Sequence, residues 1–244
     1  MPQGICPIIR KTVLMKLHAF MGTLSAFTLL APVMIIIVCR LFLNKSLWAM
    51  FIYFLLGSVY CLMSEGVIPA TENFIATYGV LNNYVDIPLM LLILGIFSTT
   101  PSRSRALNLT LILFIIYEIA VLFQFGLSVQ STIWIMGPGI LVILLYSIIF
   151  FRQCAKLSIE KNKGVGKTLI VSSMLFLYGC YAMIYYLYYI QKTSARADVY
   201  LIYYIVLFIA SVSVSLGLIM IHKKARQIKE LQVTRKELAI ILGH

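Results

Sequence analysis

The chain has few charged side chains: 11% of its 244 residues are charged, against about 25% in average soluble domains. Hydrophobic residues make up 61% of the sequence. A soluble domain of this size cannot bury so much apolar surface and keep a wettable exterior. Intrinsic disorder requires the opposite composition. The scarcity of charge therefore excludes both classes and leaves an integral membrane protein.

The sequence also lacks the patterns of metal sites, disulfide frameworks and catalytic centres. Its 5 cysteines are scattered, without a Cys-x-x-Cys pair, so neither a metal ligand set nor a disulfide framework is indicated. Paired carboxylates and a nucleophile with a neighbouring base are missing from any one plausible site. We therefore expect a protein that is not an enzyme and binds no metal.

Seven long apolar runs are present, whereas the short alternating segments of a membrane β-barrel are missing. A helix crosses a bilayer with about 20 apolar residues, so the runs predict an all-α, seven-transmembrane helix bundle over residues 1–221. The predicted spans are 17–39, 46–66, 79–99, 105–126, 131–151, 167–190 and 198–221. Residues 222–244 predict a basic amphipathic helix in the cytoplasm.

All Lys and Arg residues lie in the tails or in the joints between the runs. A net charge of +12 would suggest nucleic acid in a soluble protein, but in a membrane protein basic residues mark the cytoplasmic loops. The first, third and fifth joints carry two, two and five of them and the C-terminal tail six, against none, none and two in the other joints. This predicts a multi-pass cell-membrane protein with lipid, and no nucleic acid, as its partner. The N-terminus would lie outside and the C-terminus inside.

One basic stretch resembles a phosphate-binding loop only in part. The sequence Gly164-Val165-Gly166-Lys167-Thr168 has the right ending, but residue 161 is lysine where the pattern needs glycine, and no strand precedes it. We interpret the stretch as a flexible basic loop.

Acidic residues within the spans are candidates for function, because burying a charge in hydrocarbon is expensive. Asp86 and Glu118 clearly qualify, and Asn82 shares a helix face with Asp86 at a spacing of four. No mid-span cation is available to Asp86, so we expect a neutral carboxylic acid that hydrogen bonds to a tyrosine hydroxyl. Asn82, Asp86 and Glu118 are the candidate ion or proton contacts.

Tyrosine is concentrated in the sixth and seventh runs: nine of 15 lie between Tyr178 and Tyr204. Tyr178 and Tyr181 lie deep in the sixth span, where lining a pocket and packing in the core are equally good interpretations. Four others lie near the end of that span and suit an interfacial aromatic belt, namely Tyr185, Tyr186, Tyr188 and Tyr189.

The third run resembles a helix of the microbial rhodopsin family. Residues 78–91, YGVLNNYVDIPLML, look like the motif helix of the sodium-pumping rhodopsins. Asn82 and Asp86 occupy the first two motif positions. The third position, a glutamine in the family, is Ile93, and Gly79 stands where the family has an arginine.

The seventh run is similar to the family's retinal segment but lacks its reactive residues. In residues 209–216, IASVSVSL, Ser211 and Ser215 replace the family's Asp and Schiff-base Lys. Tyr178 and Tyr181 match its Trp-x-x-Tyr-Pro motif more loosely. A retinal imine requires an amine, so the resemblance implies a lysine-less homologue that is not a light-driven pump. It also implies that Ser215, Ser211, Tyr178 and Tyr181 lie around the chromophore position. Retinal or another apolar ligand could bind there only without a covalent bond.

Three functions are compatible with this resemblance. The leading hypothesis is association, as a homo-oligomer or with a true rhodopsin, through helix faces rich in small residues. The second is a signalling input domain that passes a conformational change through the C-terminal helix to an effector. The third is an ion channel, a transporter or a non-covalent binder of an apolar ligand.

Overall fold

The computed structural model describes residues 7–41, 47–98, 100–161, 164–191 and 196–241. Within these ranges the fold contains helices and no strand, so the prediction of an all-helical chain is confirmed. The helices are α1 (Pro7–Val38), α2 (Trp48–Ser64), α3 (Glu72–Gly95), α4 (Pro101–Phe125), α5 (Val129–Lys161), α6 (Val165–Tyr185) and α7 (Arg196–Ile241). A π-helical segment, Tyr186–Ile190, continues α6.

Six of these helices are long and apolar enough to cross a membrane. The qualifying segments are Ala19–Val38, Glu72–Gly95, Pro101–Phe125, Val129–Glu160, Val165–Ile190 and Leu201–Gln232. The second predicted span, 46–66, corresponds to α2, which has 17 residues and is shorter than the roughly 20 that a bilayer crossing takes. Length and composition thus support a membrane protein with six spanning helices and a shorter apolar one.

Local sequence explains several helix ends. The Thr71 side chain accepts a hydrogen bond from the Phe74 backbone N–H at 3.4 Å, which caps α3. Pro101 lies in the first turn of α4, where a backbone N–H would have no partner within the helix, so the N–H that proline lacks is not missed. α4 ends at Gly126, whose φ of 64° lies in a region that other residues rarely adopt.

The interpretation of residues 164–168 as a flexible loop is wrong. Gly164 has a φ of 87° and directly precedes α6, so the residues from Val165 onward already form its first turn. A Cβ added to Gly166 would lie 2.7 Å from the Gly217 carbonyl oxygen of α7. Both glycines therefore allow the close approach of α6 and α7, as small residues commonly do in membrane helices.

The helices form a closed arrangement rather than an open row. Each helix packs against the next one in the chain, α1 closes against α7, and α3 also contacts α5. Because successive helices alternate in direction, the α2–α3, α4–α5 and α6–α7 connections lie at one end of the bundle, here named the cavity end. The largest fully buried side chain, Tyr178, lies in the interior.

α7 extends well beyond the bundle. Its 46 residues correspond to about 70 Å at 1.5 Å per residue, more than twice the thickness of a bilayer core. Residues 222–241 therefore continue the last helix instead of forming a separate one. Side chains such as Lys223 and Arg226 are exposed there, and Arg226 pairs with Glu230 at 2.9 Å.

The outer face of α4 supplies a test of the membrane assignment. Leu113, at the centre of α4, is 57% exposed. We expect Leu113→Lys to lower the membrane-integrated fraction strongly, because a lysine at the centre of a spanning helix costs about 2.5–3.5 kcal/mol on insertion scales. Carbonate extraction and fluorescence-detected size exclusion measure that fraction.

The matched control is Ile159→Lys, which introduces the same charge near the end of α5. Ile159 is 84% exposed and lies next to Glu160, so its replacement should be tolerated. Equal integration of the two variants would show that the outer face of α4 does not meet hydrocarbon.

Candidate functional site

A cavity of about 350 Å³ opens among α2, α3, α5, α6 and α7 at the cavity end. All five helices contribute residues from the half that lies nearest that end. Tyrosine is the commonest residue type in its lining, and six other polar side chains line it as well. Seven tyrosines line it: Tyr60, Tyr181, Tyr185, Tyr188, Tyr189, Tyr203 and Tyr204.

One face of α3 forms a long wall of the cavity. Ala76, Gly79, Asn82 and Asp86 line the cavity at helical spacing, which places them on one side of the helix. From Ala76 to Asp86 the wall is about 15 Å long. A Cβ at Gly79 would lie 3.0 Å from the ring of Tyr60, so this glycine lets α2 approach α3.

Asp86 lies at the inner end of that wall. The Tyr178 hydroxyl donates a hydrogen bond to its Oδ2 at 2.7 Å, so the tyrosine partner expected for this carboxyl comes from α6. Asp86 also lines a second, smaller cavity of about 40 Å³ together with Tyr53 and Leu207. It therefore connects the two spaces.

A second carboxyl, that of Glu65, lies toward the outer end of the cavity. The Tyr204 hydroxyl donates to its Oε1 at 2.6 Å. A Cβ added to Gly22 of α1 would overlap the Glu65 carboxyl group, so the side chain also packs closely on α1. Glu65 thus joins α1, α2 and α7 beside the cavity.

The tyrosines pack on one another around the cavity. Tyr181 and Tyr203 stack, with ring centroids 5.7 Å apart and an angle of 20° between planes. Tyr189 packs against both Tyr188 and Tyr185. The rings therefore form two packed groups, one across α6 and α7 and the other in α6 and the π-helical segment.

Three of the tyrosines assigned to an interfacial belt line the cavity, namely Tyr185, Tyr188 and Tyr189. They follow one face of α6 and the π-helical segment, which begins at Tyr186 and is closed by a 2.9 Å bond from the Gln191 N–H to the Tyr186 carbonyl. Tyr186 itself is exposed. Such segments occur frequently at functional sites.

The structure brings together part of the predicted site. Asn82, Asp86 and Tyr181 line the cavity, and fully buried Tyr178 packs edge-on against Tyr181 behind the wall.

The remaining predicted residues lie away from the cavity lining. Ser211 and Ser215 are buried on α7, and neither hydroxyl has a hydrogen-bond partner among the described residues. Glu118 is buried on α4, and its Oε1 likewise lacks a partner in the described part of the chain.

Sequence reasoning missed the contributions of α2 and α7. Tyr60 and Glu65 are not among the predicted site residues, although an acid that follows a tyrosine by five residues near the end of an apolar run is a usable signal. Tyr203 and Tyr204 were visible as part of the tyrosine-rich region. Their convergence depends on which helices become neighbours, which no single run reveals.

The chain matches no protein-family model, no curated protein and no solved structure. Across the described ranges, no three His, Cys, Asp or Glu side chains are grouped as a metal site would need. The four described cysteines are free thiols. The cavity offers tyrosine rings, two carboxyl groups and two amides. These groups suit the reversible binding of a small molecule.

Proposed function

We propose that the chain is a rhodopsin-like, seven-helix membrane protein that binds a small molecule non-covalently in the cavity. The observation that carries the proposal is the cavity itself, about 350 Å³ with Asn82, Asn83 and Asp86 converging on it. Small-molecule sites are typically concave, 300–1,000 Å³ in volume and lined by aromatic groups with a few placed polar ones. Volume and lining both fit this class.

The resemblance to rhodopsins supports a bundle of seven helices but not a covalently attached chromophore. Counting the short α2, seven successive helices surround the interior, and Asn82 and Asp86 face it. Ser215 carries a hydroxyl where a Schiff base needs an amine, and the described lining of the cavity contains no lysine. A bound molecule is therefore held by contacts alone.

The exposed apolar face of α4 suits lipid as well as a protein partner, so it does not specifically favour oligomeric association. In the orientation that the basic residues favour, the cavity end faces the outside. A ligand would then arrive from the external medium.

A signalling role is a second candidate, favoured by the continuity of α7. Tyr203 and Tyr204 line the cavity, and the same helix runs on to Ile241. A ligand that binds more tightly when α7 holds these side chains in one position than in another shifts the protein toward the first position. The far end of the helix would then report occupancy of the cavity.

Plugging the cavity tests the proposed function. Ala76 is exposed and lines the outer part of the cavity, so Ala76→Trp places an indole in its mouth. We expect some members of a varied set of small cations, anions and neutral compounds to raise the melting temperature of the purified native protein. The same compounds should have little effect on Ala76→Trp.

Ala120→Trp is the matched control, because Ala120 is exposed on α4 and does not line the cavity. It should respond like the native protein. The proposal is overturned if no compound of any charge class stabilises the native protein. It is also overturned if the compounds stabilise Ala76→Trp as much as the native protein.

A further inference from the structure

The cavity combines acidic side chains with aromatic ring faces. Its described lining includes two carboxylic side chains, Glu65 and Asp86, and contains no Lys, Arg or His. We propose that its ligand is a small organic cation, a protonated amine or a quaternary ammonium compound. This inference rests on the proposed function, since it names the chemical class of the molecule that the cavity holds.

The ring faces favour a cation. An aromatic ring carries negative electrostatic potential on its face, and clusters of rings are a recurrent way of binding quaternary ammonium groups. Seven of the 21 lining residues are tyrosines, and the Tyr181–Tyr203 and Tyr188–Tyr189 contacts hold their rings in place. A cation of low hydration can therefore leave water without losing all of its electrostatic stabilisation.

The carboxyl groups supply charge at both ends of the space. Tyr178 donates to Asp86 at the inner end, and Tyr204 donates to Glu65 toward the outer end. Both hydroxyls donate to carboxylate oxygens, so they orient the acids without supplying positive charge. A bound cation supplies the positive charge whose absence favours the neutral form of Asp86, so Asp86 ionises when the cation binds.

Other ligand classes fit less well. An anion would face both carboxyl groups without a basic lining residue to balance them. A bare metal ion would find too few grouped ligands within the described ranges, in a space far larger than its coordination sphere. The wall of about 15 Å along α3 suits an elongated organic molecule with its charged end beside Asp86.

Charge selectivity tests the inference on the full chain in detergent or nanodiscs. Two pairs of probes keep shape constant while removing charge: choline with 3,3-dimethylbutan-1-ol, and benzyltrimethylammonium with neopentylbenzene. We expect each cation to bind at least tenfold more tightly than its neutral isostere, a difference of about 1.4 kcal/mol. Isothermal titration calorimetry and thermal shift measure both members of a pair.

Removing the inner charge supplies the second measurement. Asp86→Asn should weaken choline binding at least tenfold and leave the affinity for the alcohol unchanged, because the two probes differ only in charge. Glu160→Gln makes the same carboxyl-to-amide change on exposed Glu160 at the opposite end of the bundle. It should bind both probes like the native protein.

The outcomes separate the two proposals. Equal affinity for a cation and its isostere, preference for the neutral or an anionic probe, or cation binding unaffected by Asp86→Asn overturns the organic-cation inference and leaves the cavity proposal standing. A shift with NaCl or KCl as large as that with choline also overturns it. If no compound of any class binds or stabilises the native protein, both proposals are overturned.

Discussion

Tyr178→Ala is expected to destabilise the protein by about 3–5 kcal/mol, the usual cost of truncating a buried aromatic side chain. Tyr178 has no exposed surface, and its hydroxyl donates to Asp86. The substitution both opens a void and removes a donor from a carboxyl group in the interior. Reversible unfolding in mixed micelles, or the melting temperature where unfolding is irreversible, measures the loss.

Tyr178→Phe separates the two contributions. It keeps the ring and its edge-on contact with Tyr181 and removes only the hydroxyl, so we expect a loss of about 1–3 kcal/mol. Tyr186→Ala is the control, because Tyr186 belongs to the same tyrosine-rich region and is 53% exposed. Similar losses for Tyr178→Ala and Tyr186→Ala would contradict the placement of Tyr178 in the interior.

Gly217→Ala is expected to cost about 1–3 kcal/mol, the usual range for overpacking a tight contact. The added Cβ would lie 2.6 Å from Ile170 Cγ1 and 2.8 Å from the Gly166 carbonyl oxygen. The second contact is with backbone, which cannot rotate away, so α6 and α7 must move apart. Unfolding measurements of the kind used for Tyr178 detect the loss.

The same substitution in an open position serves as the control. A Cβ at Gly179, also in α6, meets nothing within 4 Å, so Gly179→Ala should be neutral or stabilise the helix by up to about 1 kcal/mol. If Gly217→Ala proves as harmless as Gly179→Ala, the close α6–α7 crossing does not exist in solution.

These two regions affect function differently. Tyr178 supports the inner end of the cavity through Asp86, whereas Gly217 lies toward the opposite end of the bundle, beside the start of α6. Truncation at Tyr178 is therefore expected to change ligand binding as well as stability. Gly217→Ala should lower stability while leaving the ratio of cation to neutral-isostere affinity unchanged.

The differences from the sequence predictions have physical causes that pattern reading does not capture. Residues 164–168 look like a loop because two glycines and a lysine lie close together, yet Gly166 lies in α6 and allows that helix to contact α7. Tyr188 and Tyr189 lie near a span end, where aromatic belts occur. They also line the cavity, because they belong to the π-helical segment, which contacts α7.

The candidate site was predictable only in its α3 and α6 parts. Asn82 and Asp86 could be assigned to one face because they lie four residues apart on one helix. The pairing of Asp86 with Tyr178 joins residues 92 positions apart. The pairing of Glu65 with Tyr204 spans 139, beyond what local periodicity encodes.

The amino-acid sequence by itself determined the all-helical class and the apolar helices long enough for a bilayer, because composition and hydropathy are local properties that no packing alters. It also determined that Ser215, which stands where the similar rhodopsins have their Schiff-base lysine, offers no amine for an imine. Only the tertiary structure decided that tyrosines from α2, α6 and α7 converge with two carboxyl groups around one space. The physical reason is that residues on different helices form one site only when those helices pack side by side. Close contacts such as those at Gly79 and Gly217 help to determine which helices are neighbours.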